Sequence, residues 1–282
     1  MKYQADSGAW LSIVTYLFLS ILKVSMGSIM MSKALSADGW NNVTDVLASG
    51  AVLIGLKISR KPRDEDHPYG HSRAESVSAL IASFIMATIA LEVLKDGIET
   101  AWVGKAPPPA PLTFWVALGS AGLMLLVSAY NRRLARRTKS RAIEAVSKDN
   151  LSDALVSVGA AAGILGAQWG FPWLDPAAAI MVGLIILKTA WGIFREMSHH
   201  LTDGFHEKKL DQYRKTMEKM DGVRSVVDLK GRMHGNHIIL DAVIEVDAGL
   251  NVEESHRITE ELEREMSRTH QVEETLIHVE PR

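Results

Sequence analysis

LSADGWNNVTDVLASGAVLIGLKI, residues 35–58, decides the fold, because it is long and apolar enough to cross a bilayer yet carries Asn41, Thr44 and Asp45 well inside. A helix spans the hydrocarbon with about 20 largely apolar residues. A carboxylate at that depth is costly and normally faces a cavity or a partner. Five further stretches of similar character flank it, at residues 10–31, 76–101, 112–134, 143–168 and 174–194. Pro107, Pro108, Pro109 and Pro111 end the third, and Gly170, Phe171 and Pro172 part the fifth from the sixth. Glu92, Asp96 and Glu99 late in the third stretch predict that this helix runs beyond the hydrocarbon. The first stretch lacks a basic leader and a small-residue cleavage site, and it reads as a retained span.

Lys and Arg in short loops orient such a bundle. Arg60, Lys61, Arg63 and Arg73 follow the second span, and Arg132, Arg133, Arg136, Arg137, Lys139 and Arg141 follow the fourth. The alternate loops hold only Lys33 and Lys105. Six spans then place both termini on the basic, cytoplasmic side. Residues 1–204 are expected to form the transmembrane domain and 205–282 a charge-dense cytoplasmic domain. The chain has no cysteine, so any bound metal must use oxygen or imidazole nitrogen.

Asn41 and Asp45 on the second span are four residues apart, as are Asp149 and Asp153 on the fifth. Each pair therefore shares one helical face. At 1.5 Å per residue, Asp45 lies roughly 15 Å from the outer face and the other pair roughly 9–18 Å from the inner face. All four can meet near mid-membrane. Three carboxylates and an amide oxygen around one point repel each other until a divalent cation or protons join them, which is the chemical basis for antiport. Asp149 taken alone, next to Lys148, also reads as a helix-end cap or a solvated residue.

These pairs, together with the loop DEDHPYGHSRAES at residues 64–76, resemble the cation diffusion facilitator family, and the similarity runs over essentially the whole chain. The resemblance implies a homodimer in a bacterial plasma membrane that exports a divalent metal in exchange for protons. It also implies a transport site at Asn41, Asp45, Asp149 and Asp153. Zinc members usually carry His where this chain has Asp149. Imidazole suits zinc, whereas carboxylate and amide oxygen suit harder ions. The combination resembles the bacterial manganese-efflux branch, with zinc, iron or cobalt as alternatives. Magnesium and calcium demand more oxygen ligands than four side chains offer.

Asp64, His67 and His71 form a second candidate metal cluster by the same resemblance; the imidazoles also read as contacts to phosphate headgroups or as helix caps. Arg73 is expected to pair with Asp203 and to link subunits. His199 and His200 read as interfacial residues. The tail reads as helix 207–220, strand 223–232, strand 237–246, helix 251–270 and strand 275–280, with a turn at His234, Gly235 and Asn236. This order resembles the small regulatory domain of the family. Alternation places His237, Asp241 and Glu245 on one strand face, and His278 and Glu280 on another. A regulatory site would draw on Asp241, His256, His278 and Glu280. Val227 and Val243 stand where zinc-binding relatives carry ligands, so a plain solvated surface is the alternative.

Membrane lipid is an expected partner and nucleic acid is not. No catalytic residue is expected: the spans show no nucleophile beside a base, and the chain has no His-Glu-x-x-His string. A membrane-anchored metal sensor is the remaining alternative, but it leaves the buried carboxylates without a role.

Overall fold

The computed structural model describes residues 2–103, 107–138 and 141–282, with side chains described from Trp10 and not at 141 and 142. Lys105 and Lys139 of the orienting loops, and the Arg141 side chain, lie outside that description. Six helices come first: α1 (Lys2–Ile29), α2 (Lys33–Ser59), α3 (Ala74–Val103), α4 (Pro111–Thr138), α5 (Arg141–Gln168) and α6 (Leu174–Leu201). All six are long and apolar enough to cross a membrane. Such helices satisfy their backbone groups internally, which the hydrocarbon demands. α4 and α6 continue past the apolar stretches read from sequence, carrying Arg136, Arg137, His199 and His200 in their last turns. The Arg136 and Arg137 charges there suit the helix C-terminus.

The described residues divide into two compact units, Met1–Ala51 with Ile81–Gly192, and Val52–Leu80 with Ile193–Arg282. In the first, glycines set the helix spacing. A Cβ on Gly27 would stand 2.5 Å from the Ser36 nitrogen, and one on Gly163 would stand 2.4 Å from the Ala178 Cβ. α1 and α2, and α5 and α6, therefore approach at backbone distance. The start of α2 is capped from α6: Asp175 accepts from Ser32 Oγ at 2.7 Å and from the Lys33 backbone at 2.6 Å. A carboxylate at a helix N-terminus meets both the free N–H groups and the dipole.

The second unit holds the tail: α7 (Glu207–Met217), β1 (Ser225–His234), β2 (His237–Val246), α8 (Val252–His270) and β3 (Glu274–Pro281). The sheet order is β1-β2-β3, antiparallel between the first two and parallel between the last two. Its core joins Tyr213 and Met217, Leu229, Leu240 and Ile244, and Leu262 and Met266. α8 starts at a reciprocal Asn251–Glu254 capping box. The helix–strand–strand–helix–strand order expected from sequence is the order found.

Boundaries shift where turns intervene. α7 stops at Met217 because residues 218–223 form successive turns, closed by Val223 N donating to Met220 O and by Gly222 at φ +90. β1 consequently begins two residues later than its apolar pattern suggested. It gains two at the other end, where a two-residue turn lets His234 pair with His237. A bulge between Val226 and Asp228 leaves Val227 exposed.

Candidate metal transport site

Asn41 on α2 donates through Nδ2 to Asp153 Oδ1 on α5 at 3.1 Å. Both are buried, at 5% and 8% exposure. Asp153 Oδ2 accepts from Tyr16 Oη of α1 at 2.5 Å, so three helices meet at one carboxylate. Asp45 is half-buried beside them, within reach of the charges of Asp153 and Asp149. Its Oδ2 is buried and has no hydrogen-bond partner among the described residues. Asp149 is exposed, one turn before Asp153 on α5. The four residues named from sequence thus separate into a hydrogen-bonded pair, a carboxylate with an unspent oxygen, and an outlying carboxylate.

The face of α1 that runs along α5 escaped the sequence reading. Ser12, Tyr16 and Lys23 follow helical spacing and meet Asn150, Asp153 and Ser157. Ser12 Oγ also accepts from Asn131 Nδ2 of α4 at 2.9 Å. Lys23 is the lone charge inside the first span, a signal available in the sequence. Tyr16 gave none beyond its spacing from Ser12 and Lys23.

In the loop after α2, Asp64, His67 and His71 offer ligand atoms within 4.8 Å of one another, and they form the one such carboxylate–imidazole group among the described residues. Asp64 Oδ1 lies 2.9 Å from His67 Nδ1, and Asp64 Oδ2 lies 3.4 Å from His71 Nε2. The His67 hydrogen bond holds the Asp64 carboxyl below the usual carboxylate range. His71 Nδ1 faces Pro62 O at 3.2 Å, which turns its Nε2 toward Asp64. Arg73 donates to Asp203 at 2.7 Å, the pair expected from sequence.

The tail residues do not converge. α8 packs on the sheet face that carries Leu240, Ala242 and Ile244. Asp241 points to the opposite face, as do His278 and Glu280, which pair in register with Val243 and Glu245. His256 is exposed on α8, which packs on the other face of the sheet from Asp241 and His278, and it lies 3.6 Å from Glu260. Asp241 instead pairs with Arg232 at 2.9 Å. His199 and His200 stand at the end of α6 with their rings 6.3 Å apart.

Six membrane-length apolar helices, three of them meeting at a buried carboxylate, followed by a small α/β domain, define a multi-pass membrane transporter of cations. The chain belongs to the cation diffusion facilitator family: residues 9–202 match the cation efflux transmembrane domain, and residues 205–282 match the cation efflux protein cytoplasmic domain. It is 49% identical over 278 residues to the manganese efflux system protein MneS of Bacillus subtilis (strain 168), covering 99% of this chain and 96% of that one. It is 30% identical over 282 residues to the manganese efflux system protein MneP of the same organism, covering 97% and 95%. Among solved structures, a copper form of the MamM CTD is 28% identical, covers 27% of this chain and 75% of that one, and has a TM-score of 0.26.

Proposed function

We propose that this chain exports manganese(II) from the cytoplasm in exchange for protons, as a homodimer with both termini in the cytoplasm. The observation that carries the reading is the junction of α2 and α5 through Asn41 and Asp153, with the unspent Asp45 oxygen beside it. Oxygen ligands alone favour a hard divalent ion over zinc. The efflux of manganese named for MneS and MneP agrees with that choice. Asn41, Asp45, Asp149 and Asp153 form the transport site, and Asp149 closes onto the other three when the ion arrives. Asp45, Asp149 and Asp153 exchange protons for the ion, and alternating exposure of that site carries it outward. Asp64, His67 and His71 bind a second ion at the cytoplasmic surface.

Proteoliposomes loaded with a manganese-sensitive dye test this directly. Flux should fall by about a hundredfold or more in an Asp45→Ala, Asp153→Ala double variant, since each decade needs only about 1.4 kcal/mol of lost ion binding. Wild-type flux from that variant would sink the proposal. Asp149→His should shift relative flux from manganese toward zinc; an unchanged ratio would refute the ligand-hardness argument.

A further inference from the structure

Lys23 on α1 and Asp38 on α2 are fully buried and form an ion pair at 2.9 Å that the transport site does not use. The Lys23 ammonium is enclosed by three oxygens. Besides Asp38 Oδ2 it meets Asn42 Oδ1 at 2.8 Å and Ser157 Oγ at 2.9 Å. Asp38 and Asn42 are one turn apart on α2, and Ser157 is one turn beyond Asp153 on α5. The cage therefore draws on the same two helices as the Asn41–Asp153 junction, one turn further along α5. Three of its atoms are buried without a hydrogen-bond partner among the described residues: Asn42 Nδ2 and both Asp38 oxygens, of which Oδ2 meets Lys23 as an ion pair.

A carboxylate, an amide oxygen and a hydroxyl are ligands that a hard divalent ion accepts. Hard ions sit about 2.0–2.6 Å from such oxygens, so the cage would need to contract by less than about 1 Å. A side chain tethered to α1 keeps its ammonium at high effective concentration there, as any intramolecular ligand does. It also presents a fixed positive charge to an ion approaching from Asp153.

We propose that Lys23 is a tethered cation filling a latent second divalent-ion site, made by Asp38, Asn42 and Ser157, so that the transported ion binds at one station in the membrane rather than two. Without Lys23, an ion leaving Asp153 is recaptured one turn later and its release slows. The inference rests on the reading of Asn41, Asp45, Asp149 and Asp153 as the transport site, and its test separates the two.

Manganese bound per chain is counted by equilibrium dialysis of the purified full-length protein, and flux is measured in proteoliposomes. Lys23→Met should bind one more ion than wild type, with KM and kcat both lower; Lys23→Gln provides a polar replacement should the methionine variant fail to fold. Adding Asp38→Asn should remove the extra ion, while Lys23→Arg should keep the wild-type count. In the Asp45→Ala, Asp153→Ala background, Lys23→Met should still gain its ion, so loss of the transport site and absence of the latent site are read independently. A structural role alone would change stability without changing the count. An unchanged count in both Lys23 variants, or a gain that survives Asp38→Asn, overturns the proposal.

Discussion

Tyr16 shows what one side chain adds to the two ladders of oxygen ligands. Its hydroxyl holds one oxygen of Asp153 while Asn41 holds the other, so the carboxylate is aimed before any ion arrives. A hydrogen bond to a charged group is worth about 1.5–3 kcal/mol. Tyr16→Phe should therefore raise KM for manganese roughly tenfold, about 1.4 kcal/mol. A lower KM would mean that the hydroxyl competes with the ion and does not position its ligand. The polar pairs of α2 and α5 were legible because carboxylates and amides at i and i+4 inside an apolar run have no cheap alternative role. Tyr16 was not legible. An aromatic residue in an apolar helix carries no penalty that marks it, and only the packing of α1 on α5 gives it a partner. Asp38 escaped for a different reason: its partner Lys23 lies on another helix, outside any local pattern.

At the scale of elements, helices were legible and strand ends were not. Apolar runs with proline and glycine breaks announce spans, whereas the β1 boundary depends on the turns after α7 and on the hairpin geometry. That hairpin makes a contact of its own. His234 Nε2 donates to the Tyr69 carbonyl at 3.2 Å, and Gly235 adopts φ +61 in a place where a Cβ would stand 2.4 Å from Ser72 O. Burial pushes the His234 pKa below its ordinary 6.5; the Tyr69 carbonyl opposes this, and the charges of Arg73, His237 and Arg232 reinforce it. A histidine whose folded pKa is depressed favours folding most above its unfolded value, and that contribution is lost as pH falls through the folded pKa. Acidification below pH 6.5 should then loosen the hairpin from the loop at residues 69–72. Hydrogen exchange of those residues should accelerate between pH 7 and pH 5, and His234→Gln should flatten the dependence. Exchange that stays pH-dependent in the variant, once corrected for intrinsic rates, would assign the effect to another group.

For the molecule as a whole, the proposed orientation rests on parity and charge together. Six spans put both ends on one side, and the loop after α2 and the last turns of α4 carry the arginines that resist translocation. The absence of native cysteine makes this directly measurable, because a single introduced thiol reports without background. Trp169 is exposed between α5 and α6, Lys61 is exposed after α2, and Glu263 is exposed on α8. An impermeant maleimide applied to intact cells should label Trp169→Cys. It should reach Lys61→Cys and Glu263→Cys only after permeabilisation. The proposed export requires that order, because an acidic tail draws cations only from the compartment it faces. Labelling of Glu263→Cys in intact cells would reverse the topology and, with it, the direction of transport.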